Sequence, residues 1–359
     1  MDAGTVFLVI GGEGFLGRAI VGALAERRRR TGRRDEIRVL DLRRTHHDDD
    51  DADDAVFFQG DICSRADVDA ALTAGGRTAA VVFHTASPLM KAPEAVHTRV
   101  NVEGTKVVLE ACRAAGVERL VYTSSASVVY SGQPLDYVDE SVGYASPFAD
   151  HYSATKAAAE KLVLEYNSND NSAGGMRTAA LRPSGIFGPG DRQTTPGALL
   201  AQRRGVPVLV QVGGNTALFD FTYVGNLADA HLQCADRMHE PGVAGEVFFI
   251  TNDEPIGMWS FLRLIWAQVG DTRGPRLVIP TLVASMILAV LRLLAAVRIV
   301  RHEVPFVFGM TFTPRYFNIT KAKKRLGYRP RVPYSEGVPI AVEACLARWA
   351  REEEENKKK

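Results

Sequence analysis

The chain has 359 residues, 46% hydrophobic and 24% charged, enough to bury a large core in one big α/β domain or two unequal lobes. Its 43 Lys+Arg and 42 Asp+Glu leave a net charge of +1, which argues against a general nucleic-acid binder. The four cysteines (Cys63, Cys112, Cys234, Cys345) show no metal-ligand spacing, a pattern that suits buried thiols in a reduced compartment. No basic n-region precedes an apolar h-region at the start, so no signal peptide is expected.

Thr5–Ile10, TVFLVI, is a short apolar run of the kind buried in a parallel sheet. It leads into Gly11-Gly12-Glu13-Gly14-Phe15-Leu16-Gly17 and then the helical RAIVGALAERR. Strand, glycine turn and helix in that order form a dinucleotide-binding pattern. Gly11 permits the tight turn, Gly14 lets a pyrophosphate approach the backbone, and Gly17 allows helix to pack on strand. Phe15 and Leu16 stand in the first helical turn, whose amides and dipole suit phosphates. Ile37–Asp41 reads as the second strand. Asp41 ends it, where an acidic side chain accepts hydrogen bonds from the adenosine ribose of NAD and repels a 2′-phosphate. Arg43 and Arg44 follow and would suit that phosphate, so NAD is favoured while NADP stays open. The charge runs RRRRTGRRDE and HHDDDDADD read as loops. His46 and His47 beside aspartates read as a solvated insertion, and no metal is expected.

Val56–Phe58 is the third predicted strand, ending at Gly60-Asp61-Ile62, with Asp61 toward an adenine edge and Ile62 against the ring. Ala79–His84 is the fourth, running into Thr85-Ala86-Ser87-Pro88, small residues that leave room for a cofactor. His84 reads as a packed strand residue. Asn101 opens a helix that Gly116 stops. Leu120–Thr123 is the fifth strand, followed by Ser124-Ser125-Ala126-Ser127. The carboxyl ends of such strands form the ligand crevice of a doubly wound sheet. His151–Lys161, HYSATKAAAEK, should be helical, which puts Tyr152 and Lys156 on one face. A phenol ionises near pH ~10. An ammonium one turn away favours the phenolate, giving a proton-transfer pair for a hydroxyl or carbonyl. A surface helix with an aromatic anchor has the same spacing; the glycine turn and serines upstream give the pair its weight.

Together the glycine turn, the strand-end serines and the Tyr-x-x-x-Lys pair resemble the extended short-chain dehydrogenase/reductase family, from Thr5 to about Tyr334. The resemblance implies a Rossmann-type doubly wound parallel sheet over 1–190 and a smaller mixed substrate lobe over 191–350. Residues 218–252 would return to the core, and 351–359 would be a disordered charged tail. It implies that Ser125 steadies the reacting oxygen, with Ser124 and Ser127 as alternatives. Tyr152 would be the acid/base, and Lys156 would lower its pKa and bind the nicotinamide ribose. Pro183, Ser184 and Ile186 would pass the nicotinamide, with Ser184 and nearby amides toward its carboxamide. Ile10 stands where the family carries Thr. Tyr223 and Asn226, in a hinge-like segment, would have structural hydrogen-bonding roles.

A narrower resemblance rests on YTSSASVVY, RPSGIFGPGDRQ and RYFNITKAKKRLGYRP. It is to the 3β-hydroxysteroid dehydrogenase branch and, within it, the decarboxylating sterol-4α-carboxylate 3-dehydrogenases. This implies oxidation of a sterol 3β-hydroxyl with loss of CO₂, homodimer pairing, and a place in the cytoplasm or on the cytoplasmic face of the endoplasmic reticulum membrane. For the substrate carboxylate, loop position points to Arg192 and Lys91. Val278–Val300 is apolar apart from Arg292 and Arg298. A bilayer span needs ~20 apolar residues. A spanning helix, a segment lying in the membrane face and a buried lobe helix are all compatible, and the arginines favour the second. Three rival functions share these residues: reduction of a flavonoid-like or other cyclic ketone, nucleotide-sugar epimerisation using Arg203 and Arg204, and non-catalytic dinucleotide sensing.

Overall fold

The apolar runs of the amino-terminal half become strands of one parallel sheet in the computed structural model, which describes residues 4–44, 55–168, 175–301 and 303–358. His46, His47 and the adjoining aspartates lie outside the described residues. The strands are β1 (Val6–Ile10), β2 (Glu36–Asp41), β3 (Val56–Gln59), β4 (Val81–His84), β5 (Arg119–Thr123), β6 (Arg177–Pro183) and β7 (Val247–Ile250). They lie in the order β7-β6-β5-β4-β1-β2-β3, every neighbour parallel. Chain order reverses between β1 and β4, so a crevice opens at their carboxyl ends.

The continuous apolar character of β1 follows from burial on both faces. Phe7 and Val9 enter one core cluster, whereas Val6, Leu8 and Ile10 enter the other. The helix Phe15–Thr31 takes in Arg27–Arg30, expected in a loop, and ends at Gly32 with φ +65°. Arginine is a good helix former and suits the negative end of a helix dipole, which accounts for the difference. The helix Val224–Asp236 packs against it, so residues 224–236 and β7 belong to the core.

The second lobe has its own aromatic core, including Phe187, Phe221, Trp259, Phe261, Trp266 and Tyr334. A four-stranded sheet joins Ile256–Gly257, Leu218–Phe219, Arg315–Phe317 and Leu135–Val138. The lobe therefore draws Leu135–Val138 out of the amino-terminal half. Asn226 acts as a structural bracket: its side chain bonds Asn252, Arg331 N and Val332 N and O at 2.9–3.0 Å. Tyr223 contributes its ring to Phe187 and its backbone N–H to Asn252.

Two expectations are corrected. The charged tail continues the last helix, Tyr334–Lys358, because Glu and Lys at short spacing favour helix even in full solvent. The apolar segment divides into a strand, Leu277–Ile279, and a helix, Thr281–Ala296. Among the described residues no helix is long and apolar enough to cross a membrane. Nor is this helix buried: Ala284, Leu288 and Ala295 face the protein, while Leu282, Met286, Val290 and Leu293 are exposed.

Candidate active site

The glycine turn is fixed by sterics. Gly11 has φ +79°, and a Cβ there would lie 2.8 Å from the Ala86 backbone. A Cβ on Gly17 would come within 2.1 Å of Gly11 O. Gly14 caps the helix without a side-chain hydrogen bond, so the first-turn amides remain available at the crevice. Asp41, at the end of β2, accepts from Glu13 N (3.0 Å) and Leu42 N (2.8 Å), tying the turn to the strand. Burial raises its pKa. A backbone cradle, an open helix N-terminus and a strand-end carboxylate fit a dinucleotide. Thr85 holds Ile10 O through its hydroxyl at 2.9 Å. Asp61 accepts from Arg99 (2.6 Å) and Cys63 N (2.9 Å), which fixes Ile62 beside Gly104.

The helix His151–Glu165 starts at Asp150, whose carboxylate accepts from Ser153 N at 2.6 Å. Farther along, Glu160 and Arg182 form a buried ion pair at 2.6 Å, joined by the Tyr144 hydroxyl at 2.7 Å. That pair clamps the helix to β6. Lys156 donates to Thr123 O at 2.5 Å and lies 4.2 Å from the Tyr122 ring centroid. Burial lowers its pKa to about 7, with Glu160 opposing. Burial also pushes Tyr152 up to about 12, against a hydrogen bond with Ser125 that pulls it down. The expected depression of the tyrosine pKa by lysine is thus absent here. Desolvation penalises both charged forms, and the lysine proton is directed at a carbonyl.

Of the three strand-end serines, Ser125 is the one that pulls the Tyr152 pKa down, and its hydroxyl meets that of Ser127 at 2.9 Å. Ser124 Oγ is buried without a partner. Ser184 commits its hydroxyl to Asp220 O (2.6 Å) and its N–H to Ile250 O (3.3 Å), leaving no donor for a carboxamide. His84 is buried against Thr105 (2.9 Å), and desolvation holds its pKa near about 3.

Two participants carried no sequence signal. Residues Thr98–Gly104 form a π-helical turn rather than the start of an α-helix. This turn buries Asn101, which accepts from Ser87 and donates to Thr155, both at 3.0 Å. It therefore links the β4 loop to the Tyr152 helix. Asp220 is buried with one carboxylate oxygen bonded to Phe317 N (2.8 Å) and the other unpartnered; its pKa is raised to about 7 by desolvation. One cavity of about 2090 Å³ reaches all of these elements. It is lined by the glycine turn, Asp41, Arg43, Asp61, Ile62, Thr85–Ser87, Ser124–Ser127, Tyr152, Lys156 and Pro183–Ile186, and by Asp220, Met258 and Arg315 of the second lobe. Pockets for drug-sized ligands are roughly 300–1,000 Å³. There is room for a dinucleotide and a second molecule.

The profile of the 3-beta hydroxysteroid dehydrogenase/isomerase family matches residues 8–281. The chain belongs to that family. Within it, the sterol-4-alpha-carboxylate 3-dehydrogenase (decarboxylating) of Candida albicans is 38% identical over 348 residues, covering 94% of this chain and 96% of the relative. The mouse protein of the same name is 36% identical, covering 94% and 90%. Among solved structures, a Thermus thermophilus UDP-glucose 4-epimerase complex with NAD superposes with TM-score 0.67 at 21% identity, covering 95% of this chain and 98% of that one. At that identity the match describes the fold alone.

Proposed function

We propose that this chain oxidises the 3β-hydroxyl of a 4α-carboxysterol with a nicotinamide dinucleotide, and that the 3-keto acid so formed loses CO₂. The carrying observation is that Ser125, Tyr152 and Lys156, the last two one turn apart on one helix, line one cavity that continues to the glycine turn. Membership of the 3-beta hydroxysteroid dehydrogenase/isomerase family and two relatives named as decarboxylating sterol dehydrogenases support the same reading. Asp41 favours NAD over NADP, because a carboxylate there repels a 2′-phosphate.

When bound, the nicotinamide supplies the acceptor for the hydride leaving C3. Ser125 orients the 3-hydroxyl and Tyr152 takes its proton. Because burial holds Tyr152 at about 12, the step needs a positive charge beside the phenolate, and Lys156, one helical turn away, would supply it in its protonated form by turning from Thr123 O. In the 3-keto acid the C4–carboxyl bond breaks, its electron pair moves into the C3 carbonyl as an enolate, and the Tyr152 phenol returns the proton to that oxygen. Asn101 and the Glu160–Arg182 pair keep the helix in register with the strand ends.

The exposed face Leu282, Met286, Val290 and Leu293 runs along one side of a helix, with Ile299 70% exposed beyond it. Such a face lies at the lipid–water boundary, where a sterol is also found. This supports peripheral association with the endoplasmic reticulum membrane. The function is tested with the wild type and Tyr152→Phe. A 3β-hydroxy-4α-carboxysterol should yield reduced cofactor with the first and a loss of about 10²–10⁴-fold with the second. Dinucleotide affinity should be nearly unchanged; retained turnover would remove Tyr152 from the chemistry.

A further inference from the structure

We infer that Arg315 recognises the carboxylate of the substrate and so sets selectivity for a 3β-hydroxy acid over the neutral alcohol. The inference rests on the dehydrogenase reading above and assigns the acid group its partner. Arg315 begins a strand held between Leu135–Val138 and Leu218–Phe219. Its carbonyl accepts from Asp220 N at 3.2 Å, and two residues on, Phe317 N donates to Asp220 Oδ2 at 2.8 Å. The backbone is therefore pinned on both sides of the side chain.

The guanidinium lies 5.0 Å from the centroid of the Tyr130 ring, and the residue lines the cavity together with Ser125, Ser127, Asp150 and Tyr152. Tyr130 N donates to Ser127 O at 3.0 Å, so the ring under Arg315 stands at the end of the serine turn that lines the cavity with Tyr152. Among the described residues the Arg315 guanidinium makes no side-chain hydrogen bond or ion pair, and it lies over the Tyr130 face. Three other cavity arginines have carboxylate neighbours: Arg18 lies 3.9 Å from Glu13, Arg331 pairs with Asp229, and Arg348 lies 3.7 Å from Glu352. Lys91 is exposed and does not line the cavity, whereas Arg192 lines it from the exposed loop after residue 187 and is the rival for the acid group.

A half-buried guanidinium stays charged and offers planar paired donors, the match for a carboxylate. On a 4-carboxy-3-alcohol the acid carbon sits one bond from the neighbour of C3. Its receptor must therefore stand in the same chamber as the group that takes the 3-hydroxyl proton, and Arg315 lines that chamber with Ser125 and Tyr152. When the C4–carboxyl bond breaks, the charge passes to the enolate oxygen, which takes the Tyr152 proton and leaves the charge on the phenolate. CO₂ leaves neutral, and the hold of the guanidinium on the product is released.

The test compares the wild type, Arg315→Met, Arg315→Lys and Arg192→Ala. Each is assayed with a 3β-hydroxy-4α-carboxysterol and with the same sterol lacking the carboxyl. Arg315→Met should lower kcat/KM for the acid by about 10- to 100-fold, mainly through KM, and leave the neutral sterol within about threefold. Arg315→Lys should recover part of the loss, and it carries the test if the Met variant fails to fold. Equal losses on both sterols would make Arg315 structural and overturn the assignment. Undiminished acid turnover, or a selective loss in Arg192→Ala instead, would do the same. A wild type inactive on both sterols would overturn the dehydrogenase reading, and the assignment with it.

Discussion

Two apolar runs of this chain meet opposite fates. The β1 residues Val6–Ile10 are between 0% and 4% exposed, whereas Leu282, Leu293 and Ile299 are 75%, 66% and 70% exposed. Composition states only that a segment prefers to leave water. What decides burial is whether protein lies on both sides. β1 has strands to left and right and helices above and below, and the helix Thr281–Ala296 has protein along one stripe only. The first run builds a rigid floor for a cofactor. The second leaves an apolar face exposed along one side of the helix.

The comparison can be broken most severely on the buried side. Glu160→Ala leaves the Arg182 charge unpaired in the core and should cost about 3–5 kcal/mol in urea or thermal unfolding. A loss below about 1 kcal/mol would mean that the pair does not clamp the Tyr152 helix. Asp220 gives a smaller, pH-dependent effect. Its folded pKa of about 7 lies above the unfolded value of 3.8, so the folded state holds the extra proton. That contribution is complete below pH 3.8 and is lost as pH rises to 7. Asp220→Asn should therefore match the wild type near pH 4 and exceed it by up to ~4 kcal/mol at pH 8. A constant difference across that range would contradict a neutral buried carboxyl.

On the exposed side the readout changes from stability to partition. Leu282→Glu with Leu293→Glu should alter unfolding free energy by no more than about 0.5 kcal/mol each. Binding to lipid vesicles should fall about tenfold or more, since two apolar anchors are replaced by charges. Unchanged vesicle binding would leave the face without its proposed partner. The smallest effect belongs to Asp41→Ala, which should shift preference from NAD toward NADP by about tenfold through loss of ribose hydrogen bonds and charge repulsion. An unchanged preference would move attention to Arg43 and Arg44.

The parts legible in the sequence are those where local pattern and tertiary role coincide. The strand–glycine–helix order of residues 5–17 and the four-residue spacing of Tyr152 and Lys156 read directly as structure. The π-helical turn around Asn101 did not, because a one-residue slip in backbone hydrogen bonding leaves no compositional trace. Arg315 was invisible for another reason. Its approach to Tyr130 is made by a strand pairing between residues 135 and 315, far apart in the chain. The direction of the tyrosine pKa could not be read from spacing, because it is set first by burial, which spacing does not report.

The most direct measurement is simultaneous recording of reduced cofactor and released CO₂ from wild-type protein in detergent, with a 3β-hydroxy-4α-carboxysterol and with its 4-decarboxy counterpart. Equal molar amounts of reduced cofactor and CO₂ from the acid are the expected result. Reduced cofactor without CO₂ from the acid, or no turnover of either sterol despite dinucleotide binding, would contradict a decarboxylating sterol oxidation.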